Sequence, residues 1–205
     1  MERTYARRVG RKQRFNADDV IRAAKEVGVY TFTMSDIANK IGVATPAVYR
    51  LYDGRQDIVD AVVRRAADET PIVQAGTDWH EAIDQADANL RRTLDDFEGL
   101  AEVLLCNPKL TVHFARQLQG LSRALEDGGF SHQKAVAFAF MANGHTIINY
   151  VTEMAFRNID LAGLELLEKT GPDLIPFLKD AAEDPAGALD GYKAVLLRYL
   201  EDRER

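Results

Sequence analysis

The stretch Thr33 to Leu51, TMSDIANKIGVATPAVYRL, constrains the fold more than any other part of the chain. Its apolar, small and capping residues follow the spacing of two short helices that meet at a sharp turn. Ile37, Ile41, Val43, Val48 and Leu51 fall where helices joined at roughly 90–120° bury side chains between them. Ala38 faces the crossing, where a larger side chain would hold the second helix away, and Gly42 stands where the turn needs a left-handed backbone. Thr33 is the expected cap of the first helix, with Asp36 near its positive end. Thr45 and Pro46 read as the cap and first position of the second. An ordinary pair of core helices explains any one of these matches. Five apolar positions, two small ones and two caps agreeing within 19 residues favour a helix-turn-helix that reads DNA.

In that arrangement the start of the second helix enters the major groove and presents Ala44, Thr45, Pro46, Ala47 and Arg50. Arg50 is the base-reading candidate, because a guanidinium bonds guanine bidentately; Thr45 offers a hydroxyl and a methyl, and Pro46 and Ala47 offer apolar contact to a thymine methyl. Ser35 is a further DNA-binding candidate, and Tyr52, one turn beyond Val48, reads as core.

From about Phe15 to Val63 the sequence resembles the tetracycline-repressor (TetR) family of bacterial regulators. The resemblance rests on a first helix, Ala17 to Val27, capped by Asn16 and ended by Gly28, followed in family order by TFTMSDIANKIGV, TPAVYRLY and DGRQDIVDAVV. Leu51 stands where His is frequent, and Arg55 stands where Lys commonly opens the fourth helix. The resemblance implies phosphate contacts by Thr33, Tyr49 and Arg55, which orient the helix without reading sequence.

The net charge of −6 argues against nucleic acid only as an average. Residues 1–67 carry 13 Lys and Arg against 8 Asp and Glu, a balance of +5, whereas residues 68–205 carry 13 against 24, a balance of −11. Arg7, Arg8, Arg11, Lys12 and Arg14 precede the first helix in a segment too polar to fold alone. They read as a flexible arm, residues 1–14, for phosphates or the minor groove, with a solvated tail as the plain alternative. The division that follows is an arm over 1–14, a helix-turn-helix domain over 15–67, and a ligand-binding and dimerisation domain over 68–205.

Beyond Thr70 and Pro71 the long patterns have helical period and none alternates like a strand, so the chain reads as all-α, a three-helix head followed by a helical bundle. Helices are expected over Asp78 to Phe97, Leu100 to Leu105, Leu110 to Leu125, Ser131 to about Arg157, and Gly187 to Glu201. The fourth of these is apolar over most of its circumference. Two such apolar helices exceed what a core of this size covers, which points to a homodimer. The resemblance assigns the long and final helices to a four-helix dimer interface, with Phe138, Met141, Ile148, Tyr192, Leu196 and Tyr199 as its candidates. It also implies a small-molecule effector in the C-terminal helices. Trp79, Phe97, His113, Gln117, Asn143 and Tyr150 are the candidates for that site, against the alternative that each is a core or interface residue.

The expected partners are therefore a double-stranded DNA operator, a second copy of the chain and a small-molecule effector, with no cofactor, no metal and no membrane. A charged N-terminus with no apolar segment after it carries no signal peptide, and no run of about 18 apolar residues is present, so a cytoplasmic location is expected. Cys106, the only cysteine, beside Leu104 and Leu105, reads as a buried thiol. An enzyme is the rival class. Cys106 with His113, or Ser131 with His132, lacks a nucleophile motif and a third orienting residue, and His80, His113, His132 and His145 lack zinc-ligand spacing. A helical ligand-binding protein without operator binding is the second alternative.

Overall fold

A computed structural model of the chain describes residues 15–158, 171–189 and 198, and all regular structure among them is helical. The basic arm, Tyr192, Leu196, Tyr199 and most of the expected final helix lie outside the described residues.

The head is built by capping. Helix α1, Ala17–Val27, begins at Asn16, whose side chain accepts from the Asp19 amide while the Asp19 carboxylate accepts from the Asn16 amide. Helix α2, Met34–Ile41, repeats the reciprocal arrangement with Thr33 and Asp36. Each pair satisfies two of the amide donors that a helix start leaves free. After α2, Gly42 takes φ 71° and ψ 38°, the left-handed region. The Val43 amide then reaches the Ala38 carbonyl at 2.9 Å and the Gly42 amide reaches that of Asn39 at 3.2 Å, which closes the helix end and turns the chain into α3.

Helix α3 is short, Thr45–Val48, and Ala44 rather than Thr45 holds the cap position, with no side-chain bond there. Pro46 still lies within the first turn, where its missing amide proton costs nothing. Turn-type hydrogen bonds continue from Arg50 to Ala47 and from Leu51 to Val48. Helix α4, Arg55–Glu69, then runs out of the head. Val20, Ala24, Ile37, Ala38, Val48, Ile58 and Val62 close the head's core.

The body comprises α5 (Trp79–Asp96), α6 (Leu100–Cys106), a 3-10 segment (Pro108–Phe114), α7 (Ala115–Asp127), α8 (His132–Arg157), a 3-10 turn (Pro172–Leu174) and α9 (Ile175–Glu183). The expected helix over Leu110 to Leu125 is thus divided at Phe114, yet Phe114, Leu118, Leu121 and Leu125 all face inward as their spacing predicts. Ser131 holds the cap position of α8 without a side-chain bond. The apolar core of the head continues through α4 into the body, where Leu90, Leu94, Phe97, Leu100 and Leu104 join it. A second cluster forms where α7 and α8 pack around Ala82 and Ile83. Cys106 is exposed, contrary to the buried thiol expected, with Sγ 3.8 Å from the Tyr30 hydroxyl. It ends α6, where the helix leaves the core. No helix among the described residues is long and apolar enough to cross a membrane.

Candidate nucleic-acid interface and internal cavity

Two sites follow from this architecture. The first is the outer surface of the head, where Ala44, Pro46, Tyr49 and Arg50 are exposed around α3, with Ser35 on α2 exposed and Thr45 half-buried. Among the exposed large hydrophobic residues, Tyr49 leaves half its surface to solvent. Ala47 departs from the expected set. It is 7% exposed, because it lies beside Val48 on the inner side of α3.

Two of the expected phosphate contacts have internal duties. The Thr33 hydroxyl donates to Asp36 at 2.7 Å and accepts from the Asp36 amide, so its proton is committed to the cap. That bond and the Thr33 amide hold the Asp36 carboxyl below the usual carboxylate range. Arg55 turns inward. Its Nε donates to the Phe32 carbonyl at 2.9 Å, and its Nη2 donates to the carbonyls of Tyr30 and Val29. The guanidinium carbon lies 4.9 Å from the centre of the Phe32 ring. Arg55 therefore staples the loop between α1 and α2 to the start of α4, a use of the rigid Arg fork that Lys could not reproduce.

Among the described residues, several polar contacts join the head to the body. The Val29 amide donates to the Glu98 carbonyl at 2.7 Å, beside Gly99, whose φ is 83° and where a Cβ would stand 2.7 Å from the Tyr30 amide nitrogen. Only glycine admits that approach. Along α4, Asp60 bonds His113 Nε2 at 3.0 Å, and His113 first, against the opposing effect of burial, holds the Asp60 carboxyl below its ordinary value. At the end of α4, the Gln117 amide nitrogen donates to the carbonyls of Ala67 at 2.7 Å and Thr70 at 2.9 Å.

The second site is a cavity of about 310 Å³ between α5, α7, α8 and the segment that follows α4 at Thr70, Pro71 and Val73, with Phe114, Ala186 and Leu189 also on its wall. Of the six effector-site candidates, Gln117 and Asn143 line it. The other four have different surroundings. Trp79 packs edge-on to Phe130, with ring centres 5.2 Å apart, beside the second core cluster. Phe97 is buried in the first cluster with Lys25 Nζ 4.0 Å above its ring. His113 is bound to α4. The Tyr150 hydroxyl donates to Asp95 at 2.9 Å, and burial together with that carboxylate pushes its pKa up to about 12.

Polar residues that the sequence did not single out occupy the cavity wall. Arg91 donates to Asp87 at 3.0 Å and to Glu153 at 2.8 Å, and the Thr146 hydroxyl donates to Asp87 at 2.6 Å. Burial opposes the Arg91 charge, but Asp87 and Glu153 outweigh it and raise its pKa. The signal in the sequence was the pair Asp87 and Arg91, four residues apart and bordering the stripe of Ile83, Ala86, Leu90 and Leu94. Read alone it is an ordinary surface pair. Only the distant Glu153, on α8, shows that it is turned inward.

Phe138 also departs from expectation. It is 5% exposed and faces the cavity, because it shares the inner side of α8 with Ala135, Ala139 and Thr146. Met141 and Ile148 are on the outer side, 54% and 55% exposed.

Fold and head together give a helix-turn-helix joined to a helical body through a shared core. Residues 21–62 match the family described as bacterial regulatory proteins, tetR family. The tetR-family match thus falls on the helix-turn-helix, and the described residues share the fold of a solved protein of that kind. A possible TetR family transcriptional regulator from Streptomyces coelicolor A3(2) superposes with a TM-score of 0.70 at 20% identity, covering 91% of this chain and 97% of that one. BioQ in complex with its natural double-stranded DNA operator gives 0.55 at 22% identity, over 76% and 97% of the two chains. The Streptomyces coelicolor TetR family protein ActR in complex with (S)-DNPA gives 0.55 at 16% identity, over 86% and 98%. No curated protein matches the chain.

Proposed function

We propose that this protein is a homodimeric transcriptional repressor that occupies a palindromic operator and leaves it when a small molecule fills the cavity of the body. The observation that carries the reading is the intact, exposed Arg50, Tyr49 and Pro46 surface on a helix-turn-helix whose two starts are fully capped or proline-led. Arg50 reads bases, and Tyr49 with the N-terminal arm, Arg7 to Arg14, holds phosphates. Ser35, Ala44 and Thr45 complete the contact surface.

Dimerisation is supported by the outer face of α8. Phe140, Met141 and Ile148 are exposed there, and Gly144 lies among them with open space around its Cβ position. An apolar ridge with a notch at its centre suits packing against a second α8 related by two-fold symmetry. Two heads carried by such a dimer read two half-sites, which a helix as short as α3 could not specify alone.

Release by an effector is supported by the cavity's attachment to α4. Gln117 lines the cavity and holds the last carbonyls of α4, while α4 carries the Arg55 staple at its other end. A ligand displaces the protein only if it binds the released conformation better than the DNA-bound one. The related structures support the same division, since BioQ is seen with its DNA operator and ActR with (S)-DNPA.

Sedimentation of the free protein, combined with fluorescence anisotropy on a generic duplex over a range of salt, tests this function. Dimers at micromolar concentration, and affinity that falls steeply as salt rises, are expected. A monomer with no salt-dependent binding would remove the proposal.

A further inference from the structure

The cavity wall carries a charged group beside the amides of Asn143 and Asn149 and the imidazole of His145. Arg91, the cavity's guanidinium, is taken by Asp87 and Glu153, so the three together carry a net charge of −1. Arg91 engages Oε1 of Glu153 at 2.8 Å. One polar atom of the wall is an open acceptor. Both donors of the Gln117 amide face carbonyls, which fixes its orientation, and its Oε1 is buried with no hydrogen-bond partner among the described residues. A buried acceptor left without a donor costs free energy that a matching ligand group recovers. The rest of the wall is chiefly apolar, with Leu90, Phe114, Leu121 and Phe138 prominent, and the volume suits a small organic molecule.

We infer that the ligand of this cavity is an organic cation, an amine on an apolar body, whose ammonium meets the carboxylates of Glu153 and Asp87. A carboxylate or phosphate ligand would face the net negative Asp87–Arg91–Glu153 group, whose guanidinium is already paired. A neutral alcohol would satisfy an acceptor without using the charge. Gln117 Oε1 takes a second donor where the ligand has one, and the bonds of the same amide to Ala67 and Thr70 make α4 the first element to register it. This assignment rests on the effector reading proposed above.

Calorimetric titration of the full chain near neutral pH with a naphthylbutylamine, the matching naphthylbutanol and the matching naphthylbutanoate separates the classes on one apolar body. The amine should bind about tenfold more tightly than the alcohol, and the carboxylate more weakly than either. Carboxylate or alcohol binding as tight as the amine, or no binding by any of the three, overturns the assignment. In Glu153→Gln and, separately, Asp87→Asn, the amine's advantage should shrink while alcohol affinity persists, which also shows that each variant is folded. An advantage unchanged in both overturns the placement of the cation. Operator binding measured on the same samples distinguishes the two readings. Amine binding that leaves operator affinity unchanged upholds the ligand class and overturns effector release. Release by the carboxylate alone does the reverse.

Discussion

Arg50 and Arg55 are five residues apart and both cationic, yet their surroundings give them different tasks. Arg50 is exposed beside α3, whereas Arg55 spends Nε and Nη2 on three backbone carbonyls. Arg50→Ala should therefore cost about 1–3 kcal/mol of binding to a specific duplex and leave binding to random DNA nearly unchanged. Competition anisotropy measures both, and an equal loss on the two duplexes would place Arg50 on phosphate instead. Arg55→Ala should destabilise the fold by about 1–3 kcal/mol, since it frees partly buried carbonyls of the α1–α2 loop. Urea unfolding reads that loss directly. The sequence marked Arg55 as a cation at the right place in the chain but could not show its direction, because three carbonyls more than twenty residues away decide it. Ala47 and Phe138 were misplaced for a related reason. A residue type says that a side chain suits an interface, and only the rotation of its helix says which one.

Among the elements, the turn between α5 and α6 is the most sensitive joint. Gly99→Ala would set a Cβ 2.7 Å from the Tyr30 amide nitrogen at a positive φ, so a loss of roughly 1–3 kcal/mol is expected in thermal or urea unfolding. Unchanged stability would mean that the turn and the α1–α2 loop shift apart freely. The contact between α4 and the 3-10 segment adds a pH dependence. His113 holds the Asp60 carboxyl below its ordinary value, so the stabilisation is present above about pH 4 and fades as pH falls through the lowered value. His113→Ala should therefore unfold more easily than the natural chain at neutral pH, with a difference that narrows in acid. A difference constant with pH would assign His113 a packing role only. These joints were illegible in the sequence because both partners are far apart in the chain. The helices themselves were legible. Capping pairs such as Asn16 with Asp19 and Thr33 with Asp36 are local, as is the glycine that ends α2. The division at Phe114 escaped because the apolar spacing continues smoothly from a 3-10 segment into α7.

For the whole molecule, the proposed function depends on two heads held at one spacing. Met141→Asp with Ile148→Asp places charge on the exposed ridge of α8 without touching the cavity wall, and should yield monomers in sedimentation that retain helicity but lose specific DNA binding. Dimers that persist in this double variant would move the interface away from α8. Charge asymmetry was the large-scale feature most readily read from the sequence, because it survives any arrangement of the helices within each half. The cavity was not readable in the same way. Its polar wall assembles Asp87 and Arg91 of α5 with Thr146 and Glu153 of α8, and nothing local ties those residues together. Whether the chain reads a defined DNA sequence as a dimer is decided by selecting bound duplexes from a random pool with the purified protein and sequencing them. A palindrome whose half-sites lie about one helical turn apart, bound with strong salt dependence, is the expected result. A pool that stays random through successive rounds would contradict it.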